Sequence, residues 1–164
     1  MKIQTLQDMF LHTLKDIHYA ETKVVKSLPK MIEASQNDDL KDVLKLHLKE
    51  SEGQIDRIKQ VFKHVGEKPG STPCDAIDGI LKEGETMLED TRGTPMCDLG
   101  VIATAQAIAH YEIVRYRSLV MWAGALEMKD AAELLQMSLN EERQADEKFM
   151  AFGVQVQKET ADAA

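Results

Sequence analysis

Apolar residues return every third or fourth position through four long stretches of this 164-residue chain, a spacing that dictates amphipathic helices. The first stretch places Leu6, Phe10, Leu14, Ile17, Val24, Leu28 and Met31 on one stripe. It runs to about Ala34, roughly 45 Å at the helical rise per residue. Thr5 followed by Asp8 resembles a capping box with Asp in place of Glu. Pro29 lies inside the stretch as a site for a kink. Asn37 and Asp38 break the pattern and can cap a second helix, whose stripe reads Leu40, Val43, His47, Glu50, Gln54, Ile58, Val61 and Val65 before Gly66 stops it.

Residues Gly66–Pro73 hold two Gly and two Pro and read as a loop. Asp75–Glu89 reads as a shorter helix with Ile77, Ile80, Leu81, Met87 and Leu88 on its apolar side, although Gly79 and Gly84 weaken the pattern. Gly93-Thr94-Pro95 is another break. A third long helix starts near Met96 or Cys97 and runs to about Leu126, with Ile102, Ala105, Ala109, Glu112, Tyr116, Leu119 and Ala123 on its stripe. The fourth covers about Lys129 to Lys158 with Ala132, Leu135, Leu139, Glu142, Asp146, Phe149 and Val156, and Thr160–Ala164 reads as a frayed end. Short links join the first to the second long helix and the third to the fourth, so each pair is an antiparallel hairpin. The long middle connection allows a crossover along the bundle. The expected fold is therefore all-α, a ferritin-like antiparallel four-helix bundle with a long crossover carrying a short extra helix, residues 1–164 forming one domain.

Several function classes are disfavoured at once. Net charge is −8 with no block of Lys or Arg, which argues against nucleic acid as a partner. No stretch approaches the roughly 20 apolar residues of a membrane span, and the start turns polar by Asp8 without a signal-peptide apolar region. Cys74 and Cys97 are too far apart for a CxxC zinc site and read as reduced thiols of a cytoplasmic protein.

The informative residues are acids on the wrong face. Glu21 sits between Ile17 and Val24, Glu50 and Gln54 interrupt the second stripe, Glu112 lies between Ala109 and Tyr116, and Glu142 and Asp146 interrupt the fourth. Each interruption falls near its helix's midpoint, and midpoints of antiparallel helices meet at one level. Burying ionised carboxylates costs several kcal/mol each unless positive charge meets them. Divalent metal ions supply that charge, and oxygen donors suit iron or manganese. A pair of bridged ions would use this many ligands, so the expected cofactor is two metal ions, iron first and manganese second. The hairpins also echo each other: Glu50-x-x-x-Gln54 is matched by Glu142-x-x-x-Asp146, and His18-Tyr19-Ala20-Glu21 by His110-Tyr111-Glu112. The expected metal residues are Glu21, Glu50, Gln54, Glu112, Glu142 and Asp146. His110 reads either as a ligand or as a hydrogen-bond partner of one. His47 reads as a packed residue or such a partner, and Tyr116 as core or as a donor to a ligand.

The runs Ala20-Glu21, His47-Leu48-Lys49-Glu50-Ser51-Glu52-Gly53-Gln54-Ile55, Cys74-Asp75-Ala76-Ile77-Asp78-Gly79-Ile80, Ala105-Gln106-Ala107-Ile108-Ala109-His110-Tyr111-Glu112-Ile113 and Glu141-Glu142-Arg143-Gln144-Ala145-Asp146 resemble the YciE/YciF family of bacterial ferritin-like proteins. The resemblance spans roughly residues 4–155. It implies a helical, homodimeric, cytoplasmic protein linked to stress responses and related in fold to rubrerythrin and ferritin. One departure from the wider ferritin-like pattern is visible. Di-iron carboxylate proteins carry Glu-x-x-His on two helices, whereas Gly53 follows Glu50 at that spacing and Ala145 follows Glu142. Iron oxidation or peroxide consumption is one reading; a dimeric helical scaffold with a vestigial polar core and a ferritin-type or Dps-like cage are the others.

Overall fold

The computed structural model describes residues 2–162, and among them five helices account for the regular structure: α1 (Leu6–Ala34), α2 (Asp38–His64), α3 (Asp75–Thr91), α4 (Cys97–Ala125) and α5 (Lys129–Asp162). The local signals act as expected at both starts of the first hairpin. Thr5 Oγ1 accepts from Asp8 N–H while the Asp8 carboxylate accepts from Thr5 N–H, closing the capping box. Asn37 Oδ1 accepts from Leu40 N–H at the head of α2. α1 continues through Pro29, whose side is exposed. α5 also continues through Thr160–Asp162, part of the segment expected to fray; Ala163 and Ala164 lie outside the described residues.

α1 packs on α2 and α4, and α5 packs on the same two, so these four close into a ring around one core. Contacts between helix ends give the directions. Ser35 Oγ and Gln36 N–H, just past α1, donate to Asp98 in the first turn of α4 at 2.9 and 2.7 Å. His64 at the end of α2 lies 3.7 Å from Asp130 at the start of α5. Hence α1 opposes α4, α2 opposes α5, and α2 and α4 point the same way. The chain between them must travel the bundle's length, and α3 does this on the outside, packed on α1 and α4. It runs with α1, because Lys23 pairs with Asp78 and Lys30 with Glu85 further on. The ferritin-like bundle with a crossover helix is thus the fold of this chain.

The two glycines that weakened the α3 pattern differ in their surroundings. A Cβ at Gly79 would meet nothing within 4 Å, but one at Gly84 would lie 2.3 Å from Thr104 Cγ2. Gly84 is therefore the point where α3 comes close to α4. Gly84→Ala is expected to cost about 1–3 kcal/mol by overpacking, although alanine is the better helix former. A urea titration of the variant checks this; an unchanged or raised midpoint would show that α3 is free to move off.

Candidate metal centre

At mid-height the four bundle helices turn polar groups inward. Glu21 of α1, Ser51 and Gln54 of α2, Glu112 and Tyr116 of α4, and Ser138 and Glu142 of α5 are all at 0% exposure, and His47 of α2 is at 1%. They sit inside an aliphatic shell to which Ile17, Val24, Ile58, Ala105 and Leu139 belong.

Few donors reach the carboxylates. Tyr116 Oη donates to Glu21 Oε1 at 2.6 Å. Gln54 Nε2 donates to Glu142 Oε1 at 2.7 Å and to Glu141 Oε2 at 3.1 Å. With its amide nitrogen so occupied, Gln54 turns its carbonyl oxygen towards Tyr116 Oη, 3.5 Å away. His47 Nδ1 stands 3.8 Å from Glu142 Oε1, and its ring meets Phe149 edge-on at 5.7 Å. Both oxygens of Glu112, Oε2 of Glu21 and of Glu142, both ring nitrogens of His47 and Oγ of Ser51 have no hydrogen-bond partner. Buried polar atoms are almost always bonded, so a group of orphans in one place requires a reason.

The electrostatics agree. Burial pushes the Glu21 carboxyl well above its ordinary 4.5, the Glu142 charge adds to this, and the Tyr116 hydroxyl and the more distant Arg57 act against it. Burial does the same to Glu112, reinforced by the charges of Glu21 and Glu142. Glu112 and Glu142 meet carboxyl to carboxyl, an arrangement that holds only with a shared proton or a cation between them. Tyr116 keeps its proton, its hydroxyl raised by burial and by Glu21.

One donor atom each from His47, Glu112 and Glu142 lies within 4.8 Å of the others, so this buried group can hold a metal ion. The residues fit that ligand on their own chemistry. A cation would fill the unmet lone pairs and separate the like charges, and a carboxylate-imidazole set suits first-row divalent metals.

Of the residues expected from sequence, Glu21, Gln54, Glu112 and Glu142 come together in this interior. Glu50 and Asp146 do not. Glu50 is half-buried on the flank of α2, with Lys148, Glu141, His47 and Glu142 as its charged neighbours. The reason is helical phase: at about 100° per residue, Glu50 falls to one side of His47 and Ser51 to the other. The structure buries Leu40, Leu44, His47, Ser51, Gln54 and Ile58, rather than the stripe through Val43 and Glu50. The outward arc of Lys45, Lys49, Glu52 and Asp56 was the available signal, since it points away from His47 and not from Glu50. Asp146 lies on the α4–α5 seam, where Gln106 Nε2 at 3.2 Å and His110 Nε2 at 3.1 Å hold its carboxylate. His110 itself is 63% exposed, a surface partner of Asp146.

Residues 5–162 match the family described as "Domain of unknown function (DUF892)". The chain belongs to the DUF892 family. Among its relatives is YciF, one of the two names that the sequence resemblance suggested. It is 35% identical over 150 residues to "Protein YciF" of Escherichia coli (strain K12), covering 91% of this chain and 90% of that one. The crystal structure of the E. coli stress protein YciF is similar at a TM-score of 0.91 and 33% identity, covering 95% of this chain and 99% of that one. YcfI of Rhodopseudomonas palustris is similar at a TM-score of 0.88 and 44% identity, covering 90% and 94%. The DUF892 chain thus shares its fold, at 33% identity, with a protein described as a stress protein. No helix among the described residues is long and apolar enough to cross a membrane.

Proposed function

We propose that this chain is a di-metal carboxylate protein of the bacterial stress response, with iron as its metal, acting in the cytoplasm as a homodimer. The observation that carries the reading is the set of unpartnered, fully buried donor atoms on Glu21, His47, Glu112 and Glu142. In this reading His47, Glu112 and Glu142 hold one ion. Glu21 and the carbonyl of Gln54 would offer donors to a second. Tyr116 fixes the position of Glu21 through its 2.6 Å hydrogen bond, and Gln54 fixes that of Glu142. Bound iron would supply electron exchange with dioxygen or peroxide. The surrounding aliphatic side chains exclude bulk water from the group. The stress assignment rests on likeness to the E. coli stress protein.

The test begins with metal content. Chelator-stripped protein is incubated anaerobically with ferrous iron, desalted and analysed for metal. A pair of ions per chain is expected for the natural sequence and none for the double variant Glu112→Ala, Glu142→Ala. Natural protein that retains no iron or manganese sinks the reading. Retained iron that oxidises no faster than free ferrous iron on addition of oxygen or peroxide would leave a structural metal and favour the scaffold alternative.

A further inference from the structure

The buried group is sealed differently along each seam of the bundle. α3 covers the groove between α1 and α4. On the α1–α2 side the partly buried Leu48 packs on the core. Asp146, tied to Gln106 and His110, occupies the α4–α5 seam. The α2–α5 seam is unlike the others, because hydrogen-bonded polar side chains lead inward there from the surface to the buried group. Glu141 is 26% exposed and Arg57 15% exposed, and their side chains form an ion pair. Arg57 Nε also donates to Ser138 Oγ at 3.0 Å. Gln54 Nε2 then joins the outer carboxylate of Glu141 to the inner carboxylate of Glu142. Glu50 flanks the same seam one turn from His47, with Lys148 as its strongest charged influence and Glu141 and Glu142 after it. Behind these groups lie the unpartnered nitrogens of His47 and Oε2 of Glu142, all buried.

We propose that a divalent cation reaches the buried group between α2 and α5, captured first by Glu50 and Glu141, with Arg57 as the charge that it displaces. This rests on the metal reading above. Two facts favour it. The outer carboxylates face partial solvent, so they can bind a hydrated ion before it loses its water, and they focus cations at the seam. Arg57 acts electrostatically on Glu21 as well as pairing with Glu141, so its charge partly offsets the acidic interior. A dication arriving beside a guanidinium repels it, which frees the Glu141 carboxylate from its ion pair.

Cobalt(II) uptake by the full chain, followed by stopped-flow absorbance at low ionic strength, tests this. Glu50→Gln and Glu141→Gln are each expected to slow uptake by about threefold to tenfold, with the final amount bound unchanged. Arg57→Gln is expected to speed it. Asp56→Asn, on the outward face of α2, changes the net charge equally and is expected to leave the rate alone. Raising the salt concentration should shrink the differences. Wild-type uptake with natural rates in both Glu50→Gln and Glu141→Gln overturns the route alone. An equal slowing in Asp56→Asn also overturns it, because general charge would then explain the effect. Wild-type protein that takes up no cobalt overturns the metal reading together with the route.

Discussion

Replacing Glu112 with leucine is expected to make the metal-free protein more stable by about 1–4 kcal/mol, while abolishing metal binding. Both Glu112 oxygens are buried without a donor, and Glu21 and Glu142 add like charge beside them. Leucine has similar bulk and needs no partner, so the substitution removes a desolvation cost and opens little space. It also relieves the neighbours, since Glu142 no longer faces a second carboxyl. Urea midpoints of chelator-treated protein measure the difference. The order should reverse with metal present, because only the natural chain gains binding energy, about 4.1 kcal/mol at a thousandfold excess of metal over Kd. A variant several kcal/mol less stable without metal would mean that Glu112 makes favourable bonds in the empty protein, and the argument from unmet oxygens would fail.

The pH dependence should likewise differ in sign between the metal-free and loaded forms. Glu21 and Glu112 hold their protons to a pH well above the ordinary 4.5 when folded, through burial first and neighbouring carboxylates second. The folded chain therefore binds more protons than the unfolded chain once pH passes 4.5. Stability of the metal-free protein must fall as pH rises through that window, by about 1.4 kcal/mol for each unit by which a group is displaced. Glu50 moves the same way, with a smaller contribution because it is half-exposed. Asp8 and Asp78 are shifted downward from 3.8, so they act at lower pH, outside this window. Metal binding needs the carboxylates ionised, so it strengthens as pH rises. Thermal melts at about pH 5 and about pH 8, with chelator and with manganese, should diverge. The metal-free midpoint falls while the increment from metal grows. A metal-free protein that becomes more stable from the lower to the higher pH would contradict the protonated interior.

Much of this architecture can be read along the chain, because a helix is a local object. The stripes, the Thr5 and Asn37 caps and the breaks near Gly66 and Gly93 place the helices, and the long middle connection places the crossover. Glu21, Glu112 and Glu142 announce a polar interior because each sits between apolar neighbours one turn away on either side. What stayed hidden depends on angle and on partners. Val43 and Leu44 are both apolar and Glu50 and Ser51 both polar, so a small rotation of α2 decides whether Glu50 or His47 faces inward. α5 sets that rotation by packing Phe149 against His47 and Ser138 against Arg57. Asp146 was read as interior, but Gln106 and His110 meet it on the seam. Gly84 looked like a weakness of α3 until Thr104 stood against it. Periodicity along one helix thus determined which faces are buried to within about a quarter of a turn. The finer choice of donor atoms fell to the tertiary structure, since only contact between helices fixes each one's rotation about its own axis.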